Sequence, residues 1–248
     1  MLSGPDAKYT IPLPYPGDSL RAIIRSYTKE HSAEYQAQAL IDIGFALHAR
    51  NLDLAQIDEV IIRTSHHTHH VIGTGSNDPQ KMDPGASRET LDHSAMYILA
   101  VAWQDGTWHH VHSYAPDTAH RPSTIALWHK IRTEEAPEWT AAYHHPDPDH
   151  KKFGAEVVIR LQDGTQLYER LDNPNAHYLG ARPFARSDYI NKLRVLTADL
   201  AESAEVDRFL GLVDNLQDLT PEEVGELNLV IPEDALKDAR SDRVGILP

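Results

Sequence analysis

The 248-residue chain contains no cysteine. That excludes disulfides, thiolate-bound zinc, a cysteine nucleophile and any iron–sulfur cluster held by this chain. Positive charge is also scarce: Lys and Arg total 23 against 37 Asp and Glu, a formal net charge of −14. Such a field repels nucleic acid and anionic membrane surfaces, so neither is expected as a partner, and an anionic substrate must be drawn in by a local basic cluster. Long apolar runs are missing as well. Segments such as YILAVAW (97–103) are far too short to span a bilayer, and the opening MLSGPDAKYTIPLPYPG lacks a cationic start followed by an apolar run. A cytoplasmic protein is expected. What is present is an ordinary 41% of hydrophobic residues, enough for one large domain or two modest ones.

Pro5, Pro12, Pro14 and Pro16 predict an extended arm or linker over residues 1–26. From Ser32, SAEYQAQALIDIGFALHARN places Leu40, Ile43 and Leu47 at helical spacing. IDEVIIRTS then reads as a strand rich in β-branched residues. The segment SRETLDHSAMYILAVAWQDG predicts one helix with Ser87 as its N-cap and Ala95, Ile98, Leu99 and Ala102 on one face. IALWHKIRTEE passes from helix to strand, and AEVVIRLQDGTQLYERLD reads as a hairpin turning at Asp163-Gly164. After Ser187 the pattern is helical almost to Leu219. The sum is an α+β fold: a small, mainly antiparallel sheet with helices over 27–185, followed by a C-terminal helical segment over 186–248. Ile190, Leu193, Val206, Phe209, Val213 and Leu216 give the C-terminal helices apolar stripes larger than a soluble monomer tolerates, so a homodimer is expected.

The densest chemical stretch is RTSHHTHHVIGTGSNDPQK, with His66, His67, His69 and His70 in five positions. Histidine is a common zinc ligand. If the strand continues through the cluster, however, His67 and His69 share one face while His66 and His70 share the other, and at most two converge. A third ligand must then come from HHVH (His109, His110, His112) or HHPDPDH (His144, His145, His150). With sixteen histidines in the chain such coincidences are cheap, and no metal site is expected. Gly73 and Gly75 lack phosphate-loop spacing and open no helix, so they read as a surface turn.

Two further segments carry proton chemistry. In TLDHSAMYILA, His93 and Tyr97 lie four apart and are expected on one helical face, rotated away from the apolar stripe. An imidazole beside a phenol moves protons and binds carboxylates. SYTKEHSAEYQAQA adds Lys29, His31, Tyr35 and Gln38, all groups that bind oxyanions.

In order along the chain, EHSAEYQAQA, the IDEVIIRTS strand, NDPQKMDPGASRETLDHSAMYILAVAWQDG, the IRLQDGTQLYERLD hairpin and GARPFARSDYINK together resemble the MmgE/PrpD family over about residues 27–196. The DHS…Y helix and its Asp- and Pro-rich approach are the specific part. The resemblance implies a small α+β domain that faces a large helical domain across the active site, and it covers only the C-terminal half of such an enzyme. The activity it implies is dehydration of 2-methylcitrate to 2-methyl-cis-aconitate in propionate breakdown, with no cofactor; the missing cysteines agree, since a cluster-dependent aconitase requires such ligands. His93 and Tyr97 are then the expected catalytic groups. Lys29, His31, Lys81 and Arg88 are the expected carboxylate ligands. The implied partners are a tricarboxylate substrate and a separate N-terminal helical half. The rival readings are a non-catalytic fragment or interaction module, and another polycarboxylate lyase or isomerase of the same family. Where relatives often carry histidine near AEYQAQ, this chain has Gln36 and Gln38.

Overall fold

The computed structural model describes residues 13–19, 26 and 28–235. Most of the expected arm over 1–26 lies outside the described residues. The core is built on two helices, α1 (Gln38–Ala49) and α4 (Ala95–Asp105). Every residue of α4 from Ala95 to Trp103 is buried, which is the pattern of a central helix rather than a surface one. The two helices approach closely because Gly44 has no side chain: a Cβ there would stand 2.6 Å from the Cβ of Ala102.

Against them lies a four-stranded sheet of β1 (Ile57–Thr64), β2 (Ile131–Glu135), β3 (Ala155–Leu161) and β4 (Gln166–Leu171), in the order β2-β1-β3-β4. β1 pairs with β3 and β3 with β4 antiparallel, while β1 and β2 run parallel with Thr64 opposite Glu135. The sheet is mainly antiparallel, as expected, with one parallel edge. β1 and β3 are largely buried, whereas β4 alternates between half-buried and exposed residues as a solvated edge strand does. The hairpin turns at Gly164, whose φ of +85° lies in the left-handed region that glycine adopts freely. Between β1 and β2 the chain forms α2 (His66–Val71), α3 (Arg88–Asp92), α4, α5 (Pro116–Ala119) and α6 (Pro122–Trp128); α7 (Pro137–Tyr143) follows β2.

Two expectations need correction. The segment after Ser87 is not one helix, because the chain leaves α3 at His93, passes through Ser94 in an extended conformation and restarts as α4. Ser94 causes the restart. Its Oγ accepts the Tyr97 N–H at 3.2 Å and donates to the Lys81 carbonyl at 2.7 Å, satisfying a helix N-terminus that an uninterrupted helix would not have. The strand, for its part, does not continue through the histidines. Ser65 caps α2 by accepting the Thr68 N–H at 3.2 Å, so the cluster is helical and the assignment of its histidines to two strand faces fails.

The C-terminal helices α8 (Arg186–Thr197), α9 (Ser203–Asp214) and α10 (Pro221–Gly225) bury only Thr197 and Val206. Ile190, Leu193, Phe209 and Val213 are half-buried, and Leu216 is 56% exposed. Among the described residues no helix is long and apolar enough to cross a membrane.

Candidate functional site

The loop over residues 28–36 is wound around one buried side chain. Gln38 accepts the His31 N–H at 2.9 Å through Oε1, while its Nε2 lies 3.0 to 3.2 Å from the carbonyls of His31, Ala33 and Glu34. Gln38 is thus a scaffold for the loop that carries Lys29, His31 and Glu34. Ser32 fastens that loop to the rest of the domain: its carbonyl receives Trp108 Nε1 at 3.2 Å and lies 2.8 Å from the Tyr114 hydroxyl, itself 2.7 Å from Asp92 Oδ1.

On one side of the loop, Lys81 is 7% exposed and donates from Nζ to the His93 carbonyl at 2.9 Å, with Asp78 Oδ2 at 3.9 Å. Burial lowers its pKa, and the charges of Asp78 and Glu34 oppose that shift. Glu34 is perturbed the opposite way. Burial raises its carboxyl, against the pull of the Gln36 N–H and of His93 and Lys29. Burial thus makes both a carboxyl and an ammonium resist ionisation, and groups perturbed in this way cluster at functional sites.

On the other side, His31 Nε2 lies 3.2 Å from Asp42 Oδ1, Asp42 is buried, and the His31 ring meets Phe45 edge-on at 5.5 Å. This imidazole borders a cavity of about 220 Å³ between the loop and α8, where Trp108, His109, Asp188 and Lys192 also stand. Lys192 donates to the Lys29 carbonyl, and burial lowers its pKa.

The sequence-predicted residues therefore divide. Lys81 is tied to the His93 carbonyl, and charge interactions link Glu34 with Lys29, Lys81 and His93. His31 lies across the loop, and Arg88 stacks its guanidinium 4.4 Å from the Tyr114 ring centroid while reaching the His110 carbonyl at 3.4 Å. Tyr97 stands apart. The expected common face of His93 and Tyr97 is lost because the break at Ser94 puts them on different elements: His93 is exposed with Nδ1 at 3.0 Å from the Glu89 carbonyl, whereas Tyr97 is 0% exposed and donates to the Ser113 carbonyl at 2.6 Å. Sequence reasoning missed Glu34. Its segment was noted, but nothing in the local pattern marks this half-buried carboxylate as the one that burial perturbs.

Residues 31–218 match the model of the MmgE/PrpD C-terminal domain. The chain is similar to cis-aconitate decarboxylase of Mus musculus, 27% identical over 133 residues, covering 54% of this chain and 25% of that protein. It is also similar to the probable 2-methylcitrate dehydratase of Saccharomyces cerevisiae, 27% identical over 144 residues (58% and 26%), and to 2-methylcitrate dehydratase of Salmonella typhimurium, 27% identical over 141 residues (55% and 27%). The matched segment thus spans about a quarter of each of these relatives. A domain match over most of the chain, a span that includes the four-stranded sheet, both central helices, Glu34 and Lys81, makes this protein a member of the MmgE/PrpD family through its C-terminal domain.

Proposed function

We propose that this chain supplies one wall of an active site that dehydrates 2-methylcitrate to 2-methyl-cis-aconitate without an iron–sulfur cluster, working with a helical half on a separate segment. The observation that carries the reading is the oppositely perturbed pair Glu34 and Lys81 beside the exposed imidazole of His93. Elimination of water breaks a C–H and a C–O bond. Glu34 takes the carbon-bound proton, and its raised pKa makes the carboxylate a stronger base than an exposed one. His93 protonates the departing hydroxyl, which leaves as water. Lys81 and Lys29 hold substrate carboxylates, Lys81 from a poorly solvated position where its charge acts more strongly; His31, at the neighbouring cavity, and Arg88, stacked on Tyr114, stand outside this group. Tyr97 is a positioning residue that fixes the turn around Ser113.

The helical half is part of the proposal because Tyr189 and Val195 on α8 and Leu216 just after α9 are about half exposed and because the relatives extend far beyond the matched segment. The experiment assays this chain alone and with an N-terminal helical domain of the family supplied as a second polypeptide. Dehydration of 2-methylcitrate is expected only in the mixture. Decarboxylation of cis-aconitate, the activity in the name of the mouse relative, would instead release carbon dioxide. A stable complex that turns over neither compound would leave a non-catalytic interaction module, and dimerisation of this chain alone in light scattering would assign the exposed helices to a second copy.

A further inference from the structure

We propose that His66, His70 and Glu135 bind one divalent transition-metal ion of the zinc class at the carboxyl end of the parallel β1–β2 pair. Topology brings the three residues together. In the parallel register Thr64 lies opposite Glu135, the last residues of their strands, and the crevice beyond the carboxyl ends of parallel strands is where open sheets gather ligands. The chain leaves β1 through the Ser65 cap directly into α2, so His66 and His70, four residues apart, stand on one helical face with ring centroids 4.3 Å apart.

His66 Nδ1 lies 2.8 Å from Glu135 Oε2, and His70 Nε2 lies 4.0 Å from the same oxygen. One donor atom from each residue falls within 4.8 Å of the other two. Metal–ligand bonds of about 2.0–2.2 Å in a tetrahedral site put neighbouring donors roughly 3.3 Å apart. Small rotations of three partly exposed side chains reach that spacing.

The outer contacts already orient the ligands. The Gly75 carbonyl lies 3.0 Å from His70 Nδ1, which places the proton there and leaves Nε2 free to coordinate. Thr140, on α7, donates from Oγ1 to Glu135 Oε1 at 3.1 Å and accepts the His66 N–H at 2.8 Å. An exposed histidine–glutamate pair alone contributes little, and it accounts neither for the second imidazole nor for the threonine behind the carboxylate. Two imidazoles and one carboxylate with open positions suit zinc, whereas calcium and magnesium prefer all-oxygen sets. This inference is independent of the proposed dehydration.

The test uses the full chain without a histidine tag, stripped with chelator and titrated calorimetrically with zinc chloride. One ion per chain is expected. His70→Ala and Glu135→Gln should each weaken binding more than tenfold, and Thr140→Val should weaken it by about 10–100-fold, the usual effect of losing an outer partner. Unfolding curves of the metal-free variants serve as controls, and Glu135→Gln, which keeps the side chain's shape, decides the matter if His70→Ala does not fold. Absence of saturable binding would overturn the proposal. So would one-to-one binding that persists unchanged in the variants, since the ion would then sit on other histidines such as His109 and His112.

Discussion

Glu34→Gln is expected to cut turnover by about 10²–10⁴-fold, the usual effect of removing a general base, and at the same time to raise the melting temperature at neutral pH. The two effects share a cause. Burial holds the folded pKa of Glu34 above its ordinary 4.5, so the fold favours the protonated carboxyl. The stability linked to that proton is fully present below the unfolded value and is lost as pH rises through the folded one. Near pH 8 the wild-type protein therefore keeps a poorly solvated carboxylate that the proposed reaction uses and folding does not need. Glutamine keeps the acceptor that receives the Gln36 N–H and removes the charge. The gain should fall within the roughly 0.5–2 kcal/mol of single stabilising changes, which for a chain of this size is about 2–4 °C per kcal/mol. Calorimetric melting of both proteins at pH 5 and pH 8, beside turnover in the complex with the helical half, checks it. A stability difference that does not widen from pH 5 to pH 8 would remove Glu34 from the role of poorly solvated base.

Strong periodic signals made much of the fold legible. The β-branched run of β1, the hairpin turning at Gly164 and the helix-to-strand passage over 122–135 all follow from local pattern, because each element buries a face that its own residues define. The break at Ser94 was not legible. The apolar residues on both sides of it fit one helix, and a serine inside such a run is neutral until its hydroxyl finds a specific partner, here the Lys81 carbonyl. The helix α2 was hidden for a related reason: HHTHHV has no apolar period, and the one local sign was a serine three residues before Thr68.

At the site, residue chemistry was readable and residue environment was not. Lys29, Lys81 and His93 were singled out as basic groups in suggestive segments, and tertiary structure links the charges of all three with Glu34. Burial, which makes Lys81 and Glu34 resist ionisation, depends on the loop that Gln38 organises from within. No sequence pattern records those contacts. The Gln38 carboxamide spends both its oxygen and its nitrogen on loop backbone groups.

Tyr97→Ala is expected to destabilise the protein by about 3–5 kcal/mol, as removal of a large aromatic side chain from a core does. The ring is 0% exposed, stands edge-on to Trp128 with centroids 5.0 Å apart, and lies alongside Tyr114 at 6.4 Å. Burial raises the phenol's pKa, so the hydroxyl remains a proton donor to the Ser113 carbonyl across the physiological range. Tyr97→Phe isolates that single bond. It keeps the ring and leaves a buried carbonyl without its donor, a loss of about 1–3 kcal/mol. If Tyr97 positions the turn that holds Tyr114 against Ser32 and Asp92, the phenylalanine variant melts several degrees lower and retains turnover within about tenfold once assayed well below its melting temperature. If Tyr97 instead transfers a proton to substrate, turnover falls by about 10²–10⁴-fold at unchanged substrate affinity. The buried hydroxyl and its 2.6 Å bond to a backbone carbonyl favour the first outcome, and with it the assignment of the proton chemistry to Glu34 and His93.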